Sequence, residues 1–124
     1  MKLLVVALLA VSALAHDPSK SKDSKGSSSI RLTASVIDTG CYITHDSKGE
    51  GHLKCATTCA KAGVPLALLD EKTGTVYLPL AMDHKNQNEK LLPFLEKRVT
   101  VTGNVMKKGG VNGIVLKTIE AARD

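Results

Sequence analysis

The sequence predicts a small, mainly β domain: a closed barrel of five strands with two short helices. Three observations lead there. Five runs have the length and the apolar alternation of β-strands. The last four form two pairs joined by tight-turn sequences, Asp70 to Gly74 and Lys107 to Gly110. Helix-like segments separate strand one from strand two and strand three from strand four.

Residues 30–37 alternate and are rich in β-formers, which predicts the first strand. Polar, glycine-containing sequence follows over 44–51. Residues 50–62 then read as a helix, with Leu53, Ala56 and Ala60 spaced three and four apart as its apolar stripe. Gly63 and Pro65 end it, because glycine suits the left-handed cap and proline cannot continue the helix. Residues 64–69 and 75–81 form the first hairpin. Residues 86–97 predict a short helix opened by Asn86 or Asn88, with a kink at Pro93. Residues 98–106 alternate through Val99, Val101, Gly103 and Val105, and 111–119 return as the last strand.

Strand, helical insertion, hairpin, short helix, hairpin is the order of an OB-like barrel, with the Cys/His helix inserted between strands one and two. An open antiparallel sheet packed by both helices is the rival. Closure is preferred because it removes the edges that a free sheet exposes, and Gly103 fits a bulge in a curved strand. The first strand is therefore expected to pair with the C-terminal hairpin.

Ahead of this domain, Lys2, the apolar run 3–11 and the small residues Ala13 and Ala15 have the order of a secretory signal peptide over 1–15. The run is too short for a bilayer, which needs about 20 apolar residues. Export to the periplasm or the extracellular space is expected, with His16 as the new N-terminus. With the signal removed, no remaining segment is apolar enough for stable membrane insertion. Residues 16–29 alternate serine and lysine with nothing to bury and read as a disordered tether; the folded domain is 30–122.

The formal net charge is +5, but three of the lysines fall in the tether. The only aromatics are Tyr42, Tyr77 and Phe94, too few for the stacking platforms that single-strand binders use. Nucleic acid is not an expected partner. No Ser/His/Asp array, paired acids or phosphate loop points to hydrolysis.

Three cysteines are an odd number for an exported chain. At least one thiol must be free, shared or bound to something. All three fall between positions 41 and 59, together with His52. His52, Cys55 and Cys59 stand at i, i+3 and i+7, within roughly 60° on one helical stripe. Cys41, just past the first strand, can return to face them. Thiolate and imidazole are the donors of closed zinc sites, and three cysteines with one histidine is a recurring set. The soft sulfurs suit Cu(I) or an iron–sulfur cluster as well. Cys41, His52, Cys55 and Cys59 are thus the candidate ligands of a transition metal, Zn or Cu(I).

His52 lies about 10 Å along the axis from Cys59. It reaches a shared ion only if the first helical turn is loose; otherwise it orients a thiolate from outside. His45, His84 and Met82 are reserve ligands, and His16 offers a copper-binding amine after cleavage. Two alternatives stand beside the metal: thiol–disulfide exchange by Cys55 and Cys59, and a disulfide-clamped scaffold module pairing Cys41 with Cys55 or Cys59.

The run from Asp38 through Tyr42 and the run from Gly51 through Cys59, with Gly63-Val64-Pro65 and the stretch from Val99 to Gly103, resemble a group of small secreted bacterial OB-like proteins of unassigned function. The resemblance covers residues 36–119 and implies export, the barrel and the cluster. The Cys55/Cys59 spacing is also similar to that of Sco-type copper proteins, whose thioredoxin-like fold makes only the site analogous. The reading is an exported domain that binds metal for handling or clamping, with another exported protein as partner.

Overall fold

The computed structural model describes residues 27–123. The expected signal, 1–15, and residues 16–26 of the expected tether lie outside them. Five strands form a closed barrel in the order β1-β2-β3-β5-β4: β1 (Ser28–Asp38), β2 (Leu66–Asp70), β3 (Thr75–Pro79), β4 (Arg98–Lys108) and β5 (Val111–Ala121). This is the OB-like barrel that the sequence predicts. β1 pairs with both β2 and β4, so it does join the C-terminal hairpin, and β3 meets β5 in parallel at Leu78 and Pro79.

β1 starts two residues before the expected tether boundary. Ser28 and Ser29 pair with Val105 and Asn104 of the long β4, and ladder pairing uses backbone groups whatever the side chain. β4 alternates as its sequence requires, burying Val99, Val101, Gly103 and Val105. At Gly103 the β4–β5 register shifts. A Cβ there would stand 2.5 Å from the Val115 carbonyl oxygen, so only glycine allows this bulge.

Among the described residues three α-helices decorate the barrel: α1 (Thr39–His45), α2 (Leu53–Lys61) and α3 (Asn88–Leu91). α3 runs into a 3-10 turn, Leu92–Phe94, with Pro93 near its start, so the expected kink is a change of helix type. Asn86 accepts a hydrogen bond from the Asn88 amide, 3.0 Å, at the opening of α3. Leu91 and Leu95 are buried with Val36, Leu68, Val101 and Ile114 in the barrel core. Burial of such a leucine contributes about 1.5–3 kcal/mol.

α1 was not expected: residues 39–45 read as the strand's exit and a loop. Gly40 and the β-branched Thr39, Ile43 and Thr44 are weak helix formers. Two tertiary features override them. Asp38 caps the helix through Oδ1, and Tyr42 packs on a second apolar cluster, Ile37, Ala67 and Leu69. Among the described residues no helix is long and apolar enough to cross a membrane.

Candidate metal centre

Two short helices and the loop between them bring the chemistry together. α1 leaves β1 directly, and its first residue, Thr39, is tied down by its hydroxyl donating to the Pro65 carbonyl, 2.7 Å. α2 is preceded by a 3-10 turn, Glu50–His52. The expected apolar stripe holds at Ala56 and Ala60, which are buried, but Leu53 is 39 % exposed. Leu53 opens the helix, and the barrel covers only the later turns.

The far end of α2 is fixed twice. Gly63, at φ 97°, lets the Val64 amide donate to Cys59 O (3.0 Å) and its own amide to Ala60 O (3.2 Å), the paired bonds of a Schellman cap. The buried Asn88 side chain then donates to Ala60 O and Val64 O and accepts from the Leu66 amide. One side chain from the β3–β4 connection so joins α2 to β2.

Within this frame the sulfurs of Cys41, Cys55 and Cys59 all lie within 4.8 Å of one another. Donor atoms of Asp38, Cys41 and His52 form a second such triad. Cys41 belongs to both. Ligand sulfurs around a tetrahedral zinc stand about 3.8 Å apart, given Zn–S bonds of about 2.3 Å. The three sulfurs, at most 4.8 Å apart, are therefore within about 1 Å of that spacing. All three thiols are free, with Cys55 exposed and the other two half-buried.

All four expected ligands thus enter the cluster, but His52 joins Cys41 and Asp38 rather than all three sulfurs together. His52 ends the 3-10 turn ahead of α2, outside the triad of sulfurs. His45 and His84 are exposed and belong to neither triad, and Met82 is 68 % exposed on the β3–α3 connection.

Two residues of the site were not expected. The first is Asp38, fully buried at the end of β1. Its Oδ1 accepts from the Gly40 and Cys41 amides at 2.8 and 3.4 Å. Its Oδ2 is enclosed and has no hydrogen-bond partner. An Asp-Thr-Gly sequence at a strand's end is an N-cap signature, and that signal could have found it.

The second is Glu96, whose side chain is 2 % exposed. Its Oε1 accepts from His52 Nδ1, 2.9 Å away, and its Oε2 accepts from the Gly49 amide. With an ionised Glu96 as acceptor and a neutral ring, Nδ1 carries the proton and Nε2 keeps the lone pair that a metal needs. Carboxylates orient metal-binding histidines in this manner. Glu96 itself has φ 58°, a conformation costing about 1–3 kcal/mol that persists only where the surroundings over-determine it. Here its amide is held by Val36 O at 2.9 Å. No local signal marks it, because it lies 44 residues from His52.

The surroundings of Cys41 and Cys59 favour their neutral thiols while no cation is bound. Desolvation, then the Asp38 carboxylate, then Cys55 push the Cys41 thiol up to about 12. Contact with Asp38 and then desolvation raise Cys59 as well. Asp38 Oδ2 nevertheless has no partner in hydrogen-bond geometry. A metal ion reverses this balance, since a coordinating thiol is deprotonated outright.

A groove of about 860 Å³ lies elsewhere; Ile43, Pro65, Leu78, Leu80 and Val111 line it, with no cysteine or histidine. No family model, curated protein or solved structure matches this chain.

Proposed function

We propose that this chain is an exported transition-metal-binding domain whose primary site is the trithiolate of Cys41, Cys55 and Cys59. The observation that carries this is the convergence of three sulfurs from two separate helices within 4.8 Å of one another. Three thiolates suit Zn(II) or Cu(I). The role is metal handling rather than clamping. Cys55 is exposed, so an incoming ligand reaches the ion, and the barrel has its own core and needs no metal to close. Its partner in transfer is another exported protein presenting a competing soft ligand. Export rests on Lys2, the apolar run 3–11 and Ala13/Ala15, and agrees with the resemblance to small secreted bacterial domains.

Thiol–disulfide exchange draws support from the same closeness of the sulfurs. It needs a thiolate with a lowered pKa, whereas Cys41 and Cys59 are both shifted the other way. The metal reading is therefore preferred. The test is stoichiometry and affinity for Zn(II) and Cu(I) under reducing conditions, in the wild type and in the Cys55→Ser/Cys59→Ser double variant. The wild type is expected to bind tightly and the double variant to lose that ion while keeping the barrel. Equal affinity in both would remove the proposal.

A further inference from the structure

We infer that the cluster holds a second metal position, formed by Asp38, Cys41 and His52, with the Cys41 thiolate bridging the two ions. The inference rests on the trithiolate reading above and extends it. Its first support is geometric. The donors divide into two triads with Cys41 as their shared member, which is the arrangement of a bridging ligand.

The second support is Asp38. Its residue is fully buried and its Oδ2 has no hydrogen-bond partner, a state that ordinarily costs about 1–3 kcal/mol or more for a charged group. The α1 cap occupies Oδ1, so Oδ2 is free to bind an ion without opening the helix. The third support is His52, whose Nδ1 is 2.9 Å from Glu96 Oε1, so that Nε2 is the nitrogen without that partner. Oxygen, nitrogen and sulfur together suit a divalent ion of intermediate softness such as Zn(II).

Charge favours two ions over one. Three thiolates and Asp38 are four anionic donors, which two dications neutralise. A single dication leaves two negative charges in a partly buried site, where uncompensated charge is costly. A bridging sulfur with Zn–S bonds of about 2.3 Å places the ions no more than about 4.6 Å apart. Protein two-metal sites, with ions about 3.5–4 Å apart, fall within that limit.

The test is titration of the reduced, exported chain with Zn(II), counting bound ions by native mass spectrometry. The wild type is expected to bind two. Asp38→Asn keeps the helix cap, since asparagine caps as well as aspartate, and should bind one. Glu96→Gln should weaken the second ion about 10- to 100-fold, as loss of a histidine-orienting group does, and leave the first unchanged. A wild type binding one ion, or an Asp38→Asn variant still binding two, overturns the second position and leaves the trithiolate intact. A wild type binding none removes the trithiolate reading itself.

Discussion

Glu96 Oε1 lies 2.9 Å from His52 Nδ1, so a buried carboxylate from the turn before β4 holds the one histidine of the cluster. The same carboxylate accepts from the Gly49 amide. The insertion between β1 and β2 is therefore fastened to the strand junction where Glu96 sits against Val36.

Glu96→Ala should release that fastening. The half-buried His52 ring and the exposed Gly49 amide each lose an acceptor, at about 0.5–1.5 kcal/mol per hydrogen bond. The melting temperature should fall by about 4–8 °C per kcal/mol for a domain of this size. Hydrogen exchange should show the loss of protection concentrated at residues 49–52. Uniform loss across the barrel strands would mean that Glu96 supports the core instead.

Gly103→Ala tests the barrel independently of the cluster. The new methyl would meet the Val115 carbonyl at 2.5 Å and Ile114 side-chain carbons at 2.9 and 3.1 Å. Overpacking of that kind costs about 1–3 kcal/mol. The denaturation midpoint should drop while metal stoichiometry holds, because the cluster draws nothing from the β4–β5 pairing.

The strands and their closure were legible because apolar alternation and turn residues state them locally, as at Val99, Val101 and Gly103. The cysteines were legible from spacing alone. α1 was not, since a seven-residue helix containing Gly40 and three β-branched residues depends on Tyr42 finding Ile37 and Leu69. Asp38 was half-legible: the cap could be read, but not the burial that leaves Oδ2 alone. Glu96 was hidden, because its role exists only after β1, β4 and the insertion have met.

The raised thiols give a pH dependence of known sign. For the metal-free, reduced protein, a folded pKa above the unfolded value means that stability is fully present below the unfolded value and is lost as pH rises through the folded one. Cys41 moves from 9.0 to about 12, and Cys59 shifts in the same direction. The urea midpoint should therefore fall between about pH 9 and 12, and less steeply in Cys41→Ser. At pH 7, metal binding should release protons, because neutral thiols must ionise to coordinate. A calorimetric enthalpy independent of buffer would count against thiolate ligation.

Export makes a covalent prediction. The Ala13/Ala15 pair and the preceding apolar run define a cut before His16. Intact mass of the secreted product should begin at that residue. A chain that retains Met1 outside the cytoplasm would contradict the signal-peptide reading.

The most direct test of the central claim is X-ray absorption at the edge of the metal bound by the reduced protein at one equivalent. Three sulfurs at about 2.3 Å are predicted for zinc, falling to two in Cys59→Ser. A first shell of oxygen and nitrogen with no sulfur would contradict the trithiolate.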